Sequence, residues 1–357
     1  MQINVLTPVF TTSNGSAFLF PFVVHEHALR DVGVEVQFVN RNDPTLVECD
    51  ILAIDSKEFR LDWAVDETRT LELISDWREN VSQVVWFDTT DSTGTLQSAV
   101  FAVVDRYLKS QILSDKSNYS RRVYGGRIYS EYYHDTQGID DSGTEAVDEP
   151  ITRDDIEKVG VSWNSGLADY STYGPWRIGL YERLGWKWLL RHPGVLREAV
   201  TDRSNDLAAR FGATYSRATV RRQRELIREK LSSRLDTKKI NRRGYMLELK
   251  NSKVILSPFG WGEITLKDFE VFLTGGMLLK PSLDHMLTWP DFYEKDKTYL
   301  AHDWDLSDLE DCIDWAVTHD AERREIATEG QRRYIEFTSG PNAGERFASH
   351  VLKVMSS

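Results

Sequence analysis

The chain opens on an unbroken β-branched and apolar run, "INVLTPV" (3–9). Such a run predicts a strand buried on both faces, as in a parallel sheet. Three similar runs follow: "VEVQFVN" (34–40), "DILAID" (50–55) and "SQVVWFD" (82–88). Between the first two lie a glycine-containing polar loop, "FTTSNGSA" (10–17), and an apolar stretch ending at Gly33. That stretch reads as a helix started or kinked by Pro21. "ETRTLELISDWREN" (67–80) has the spacing of an amphipathic helix. Strands alternating with helices predict an α/β fold, in which ligands sit beyond the carboxyl ends of parallel strands. Here those ends are residues 10–16, Asp55 and "DTTDS" (88–92).

Residues 110–155 are less regular, and the acidic run "GIDDSGTEAVDEP" (138–150) reads as an exposed loop. "KVGVSWNSGLADYSTYG" (158–174) returns to a strand and then a loop. "PWRIGLYERLGWKWLLRHPGVL" (175–196) reads as an aromatic-rich helix packed between domains. Composition shifts after residues 201–206, and "LAARFGATYS" (207–216) reads as the first strand of a second unit. Val220, Ile227 and Leu231 then share one face of a helix. "VILSPFG" (254–260), "TLKDFEVFLTGG" (265–276) and "MLLKP" (277–281) predict strand, helix with a glycine stop, and strand. No fixed-period repeat interrupts the pattern.

A chain of 357 residues exceeds one ordinary core and implies two domains. The predicted division is 1–200, 201–335, and a terminal helix over 336–357 crossing back to the first unit. Net charge is 44 − 56 = −12. That far field repels phosphate and argues against a general nucleic-acid or anionic-membrane binder. Locally the balance reverses: Arg217 to Arg243 holds eleven Lys and Arg against three acids. Cys49 and Cys312 have neither a disulfide framework nor metal-ligand spacing and read as thiols of a reducing cytosol. The amino terminus reads as a strand rather than a signal peptide, and no apolar run reaches membrane-spanning length. The expected location is cytoplasmic.

The chemistry concentrates at 254–281. A helix starting near 265 presents unpaired N–H groups, which suit a phosphate. A carboxylate beside it, Glu263 or Glu270, suits the paired hydroxyls of a ribose. Glu263 as a charge favoured by the helix dipole, and Glu270 as a solvated side chain, explain the spacing equally well.

"FGWGEITLKDFEVFLTGGMLLKP" with "TYLAHDWDLSDLEDCIDWAVTHDAERREIATEGQRRYIEF" resembles the C-terminal half of group-1-type glycosyltransferases, in their spore-maturation-protein-like branch. The resemblance spans roughly residues 205–350. It implies a GT-B architecture: two Rossmann-like domains with parallel sheets facing a cleft, donor on the C-terminal one and acceptor on the N-terminal one. It also implies that Glu270 binds the donor ribose. Glu263 matches the earlier member of the family's glutamate pair, with six intervening residues where the family has seven. The implied activity is transfer of a sugar from a nucleotide-sugar to a hydroxyl of a glycan or lipid-linked acceptor, without a metal or other cofactor.

Within that frame Arg217 and Lys267 are the candidates to hold the donor diphosphate, and Gly262 lies in the loop beside it. His285 and Asp284 border the donor sugar. A base for the acceptor hydroxyl comes from the other side of the cleft, with Asp88, Asp91, His25 and His27 as candidates. The Asp88–Asp91 spacing also suits a metal or simple turn formation. His25 and His27, two apart, fall on different helix faces. Asn164 and Asp169 follow the last strand of the first unit near the cleft. Three other readings stay open: a nucleotide-sugar epimerase of the same architecture, a non-catalytic sugar-nucleotide binder, and a nucleic-acid binder using 217–243. At most peripheral membrane contact is expected, and sequence leaves the oligomeric state open.

Overall fold

The computed structural model describes residues 1–10, 13–141 and 149–356. Most of the acidic run predicted as an exposed loop, residues 142–148, lies outside the described residues. Among the described residues twelve strands are formed, in chain order β1 Gln2–Leu6, β2 Glu35–Val39, β3 Ile51–Asp55, β4 Gln83–Asp88, β5 Arg106–Lys109, β6 Gln111–Leu113, β7 Val159–Val161, β8 Asn205–Ala208, β9 Ser252–Leu256, β10 Met277–Pro281, β11 Met286–Thr288 and β12 Leu300–His302. One sheet has the order β2-β1-β3-β4-β5-β7, and a second has β12-β10-β9-β8. Every pairing within both sheets is parallel. This is the expected pair of parallel-sheet lobes, and the runs read as buried strands are buried throughout β3 and β10.

The helix face predicted from Val220, Ile227 and Leu231 is buried, on helix Ala218–Lys230. The predicted helix–glycine–strand junction is also formed, with helix Leu266–Thr274 stopped by Gly275 in the left-handed region at φ +67°. Other boundaries move. Helix Ser13–Val24 begins inside the predicted 10–17 loop and carries Pro21 within it. It breaks at His25 before a short helix, Glu26–Asp31. The first strand of the second lobe is Asn205–Ala208, and 209–217 is loop.

The lobes share one continuous core. Phe269, Phe292 and Tyr334 of the second lobe lie in the same buried cluster as the first-lobe residues Val5, Phe87, Trp163 and Tyr170. An antiparallel ribbon joins them too: β6 of the first lobe pairs with β11 of the second. Helix Ile128–Gln137, from the irregular 110–155 region, packs on helix Ala218–Lys230. There Asp141 caps the latter helix, accepting from the Thr219 N–H at 2.8 Å and its hydroxyl at 2.7 Å. The terminal helix Ala343–Ser356 packs on Glu26–Asp31 and seats Phe347 against Phe22 and Trp163.

The segment 175–196 departs from expectation. Helix Gly174–Leu184 is formed, but Trp176, Trp186 and Trp188 are 64%, 51% and 71% exposed rather than packed between lobes. Among the described residues no helix is long and apolar enough to cross a membrane.

Candidate functional site

A cleft of ≈ 360 Å³ opens between the lobes. Its walls come from segments that follow strand carboxyl ends: 88–91 after β4, Ser110 and Gln111 after β5, and Ser162, Trp163 and Ser165 after β7. The second lobe contributes Tyr215 and Arg224 and the 260–266 turn after β9. Both parallel sheets therefore aim their ligand-binding ends at one space.

The start of helix Leu266–Thr274 forms part of the wall. Thr265 and Asp268 build a reciprocal capping box: the Thr265 N–H donates to Asp268 Oδ2 at 3.1 Å, and the Thr265 side chain caps the Asp268 N–H. That leaves the Leu266 and Lys267 N–H groups as the first-turn donors without an intrahelical acceptor. Asp268 is itself fixed. It accepts from Ser257 and from Tyr293 at 3.1 Å, and Lys280 Nζ lies 3.2 Å away, both charges fully buried. Burial pulls the Lys280 pKa down, and Asp268 partly restores it. Removing either partner would strand a buried charge, a loss of about 3–5 kcal/mol.

Arg224 is the cation of the cleft. Its Nε donates to the Phe259 carbonyl at 2.6 Å, its Nη1 to the Gly212 carbonyl at 2.8 Å, and its guanidinium stacks over Tyr215 at 4.9 Å. Sequence reasoning passed over it among eleven basic residues. The signal was available: position 224 lies on the Val220–Ile227–Leu231 stripe, so the helix buries this arginine with its apolar face. The other candidate cations are engaged elsewhere. Arg217 Nη1 donates to the Gly125 carbonyl at 2.7 Å, and it does not line the cleft. Lys267 turns its ammonium toward the Arg210 carbonyl, and burial brings its pKa down to about 7.

Glu270 is 6% exposed, which overturns its reading as a solvated side chain. Its oxygens accept from Arg242 and, at 2.6 Å, from the Tyr245 hydroxyl. It lies four residues beyond Leu266 and so one turn down the same helix face, about 6 Å along the axis. Glu270 does not line the cleft, and the side chain of its partner Arg242 is 39% exposed.

Glu263 is fully buried but serves a different partner from the one expected. Across the lobe boundary it accepts from the Thr93 N–H at 3.1 Å and the Thr93 hydroxyl at 2.6 Å, with His285 Nε2 3.6 Å away. Burial raises its pKa, but His285 and Thr93 outweigh this and hold it below the ordinary glutamate value. His285 is thus placed against Glu263, and its neighbour Asp284 is exposed. Gly262 presses on the other lobe: a Cβ there would stand 1.8 Å from the Asp91 carbonyl oxygen.

The first lobe's candidates separate. Asp91 is exposed at the cleft wall and accepts from the Asn14 amide. Asp88, though it borders the cleft, is buried and accepts from Lys109 at 2.7 Å, Tyr107 at 2.7 Å and the Thr90 N–H at 2.8 Å. Burial opposes its charge, but Lys109 prevails and its pKa is lowered, so Asp88 is a weak proton acceptor. His25 is absent from the cleft wall. It stacks on His192 at 5.1 Å with Phe347 of the terminal helix tilted against it at 5.6 Å, and burial lowers its pKa to about 4. His27 is exposed on the other side of the turn. Asn164 and Asp169 are buried loop fasteners: the Asn164 side chain accepts from the Gly166 N–H at 2.8 Å, and Asp169 holds Arg177 and the Ser171 N–H. Neither lines the cleft. Aromatic walls come from Trp163, Tyr215 and Trp261.

Comparison with known proteins returns structural likenesses alone; no protein family and no curated protein matches the chain. A glycosyltransferase from Rickettsia africae aligns at TM-score 0.48 and 7% identity, covering 100% of this chain and 99% of that one. HepE of Anabaena, solved with UDP-glucose, aligns at TM-score 0.44 and 9% identity over 99% and 100% of the two chains. Sucrose-phosphate synthase of Thermosynechococcus elongatus aligns at TM-score 0.43 and 12% identity over 100% and 98%. At such identities and scores a likeness assigns no activity, and the chemistry of the cleft has to carry the functional reading.

Proposed function

We propose that the protein is a GT-B glycosyltransferase, of the spore-maturation-protein-like branch, moving a sugar from a nucleotide diphosphate-sugar to a hydroxyl acceptor. One observation carries this reading: Arg224 and an open helix start on one lobe face the exposed carboxylate of Asp91 on the other, across strand ends of both sheets. Cation and N–H groups suit a leaving diphosphate, whose negative charge grows as the glycosidic bond breaks. A carboxylate on the far wall suits the removal of a proton from an incoming hydroxyl. Trp261 and Tyr215 offer faces for a sugar ring or base.

In this reading the diphosphate sits at Arg224 and the Leu266 N–H. The pentose lies one helical turn further, where Glu270 accepts its hydroxyls once Arg242 swings outward. Lys280, Asp268 and Thr265 hold the helix start in place, so its donors need no rearrangement as charge develops. The closed lobes exclude water from the anomeric carbon. The acceptor is a glycan or a lipid-linked hydroxyl.

The test is a thermal-shift screen with UDP-, GDP-, ADP-, CMP- and dTDP-sugars, followed by an assay of nucleotide release. One nucleotide class raises the melting temperature by mass action, and Glu270→Gln abolishes the shift while keeping the unliganded melting temperature. No shift with any class, or an unchanged shift in the variant, refutes the reading.

A further inference from the structure

We propose that the segment from Trp176 to Arg191 is a docking surface for an anionic lipid bilayer. Trp176, Leu184, Trp186 and Trp188 are 64%, 45%, 51% and 71% exposed, a concentration of large apolar side chains that a solvated surface does not need. They are held outward by construction. Gly185 ends helix Gly174–Leu184 in the left-handed region, and Leu189 and Leu190 then anchor the chain in the core. Trp186 and Trp188 stack on each other at 5.7 Å, outside that anchor.

Charge selects the partner. Between Trp176 and Arg191 there are four basic residues and one acid, the exposed Glu182, in a chain of net charge −12. From neighbouring elements Glu26 pairs with Lys187 and Arg30, and Asp169 pairs with Arg177, so Arg183 and Arg191 carry the attraction to lipid. Tryptophan amid Lys and Arg is the composition of an interfacial membrane anchor: indoles enter the headgroup boundary and cations meet anionic lipid. The net negative field is screened within about 8 Å at physiological salt, so the local balance governs contact.

The surface runs along the first lobe from the carboxyl end of β1 toward its amino end, where Lys187 pairs with Glu26 beyond helix Ser13–Val24. Tyr181, on helix Gly174–Leu184, packs against Phe10 at 4.9 Å in the segment after the carboxyl end of β1. The surface owes nothing to the chemistry of the cleft, and the two can fail separately.

The test is co-sedimentation of the full chain with phosphatidylglycerol–phosphatidylcholine vesicles and with phosphatidylcholine alone. The parent protein binds the anionic vesicles, with a blue shift of its tryptophan emission, and binding weakens as salt rises. The triple variant Trp176→Ala, Trp186→Ala, Trp188→Ala binds at least about tenfold less, at an unchanged melting temperature. Arg183→Glu with Arg191→Glu, which leaves every indole in place, gives a comparable loss and guards against misfolding of the triple variant. Equal binding to both vesicle types, or charge-reversal variants that bind like the parent, overturns the proposal. So does self-association of the parent that the triple variant abolishes, which would assign the surface to a second copy of the chain.

Discussion

Gly262 of the second lobe meets Asp91 of the first so closely that a Cβ would lie 1.8 Å from the Asp91 carbonyl oxygen. The obstructing atom is backbone, held in turn by the Gln111 amide, so it cannot rotate away. Gly262→Ala is therefore expected to push the lobes apart at the mouth of the cleft. Small-angle scattering should show a larger radius of gyration, and donor affinity should fall at least about tenfold, the worth of about 1.4 kcal/mol. A variant with parental dimensions and affinity would show that the contact is not what sets the cleft.

Asp91 is the exposed carboxylate on the first-lobe wall, and Asp88 is bound to Lys109. Asp91→Asn should lower kcat by about 10²–10⁴-fold with little change in melting temperature, as expected for a lost general base. Lys109→Met should behave oppositely. It leaves Asp88 buried and unpaired and should cost about 3–5 kcal/mol of stability, read from the urea midpoint.

Much of this arrangement was legible in the chain, and the part that was not has a physical reason. Continuous apolar runs gave the strands because parallel strands are buried on both faces. The 254–281 junction was readable because its helix has both a start signal and a glycine stop. The interlobe pairs were not readable: Glu263 finds Thr93 from 170 positions away, and local patterns carry no such pairing. Arg224 was hidden by its basic neighbours, although its place on an apolar stripe marked it. In the 175–196 segment aromatic content does not mean burial: Trp176, Trp186 and Trp188 are exposed. His25 lies at a helix break where Phe347 and His192 enclose it, and nothing within "VVHEHAL" reports either neighbour.

Acid should loosen the fold in a defined window. His25, His302 and His350 have folded pKa values lowered by burial to about 4, against 6.5 when unfolded. Between these values the unfolded chain binds protons that the folded chain refuses, so stability falls as pH drops from 6.5 toward 4 and is flat above 6.5 on their account. Glu263 has a lowered folded pKa; its contribution is present above its unfolded value of 4.5 and is lost below it. Each pKa unit is worth about 1.4 kcal/mol, so the sum by pH 4 reaches several kcal/mol. Urea midpoints across pH measure this. His302→Asn, whose amide can replace the Nδ1 contact with the Asp303 carbonyl, should reduce the slope by about one proton. An unchanged slope would place the titration elsewhere.

The Asp268 hub gives a further check on the helix start. Asp268→Asn keeps the size but removes the charge facing Lys280 and weakens the cap on Thr265. It should destabilise the protein by about 3–5 kcal/mol and lower donor affinity in the surviving folded fraction. Full donor affinity in the variant would mean that the helix start takes no part in binding.

The most direct measurement is the position of the donor in a crystal soaked with whichever nucleotide-sugar stabilises the protein. The account predicts the diphosphate at Arg224 and the Leu266 N–H, the pentose on Glu270 with Arg242 displaced, and the sugar toward Asp91. A diphosphate lodged away from Arg224, or a pentose that leaves the Glu270–Arg242 pair intact, would contradict it.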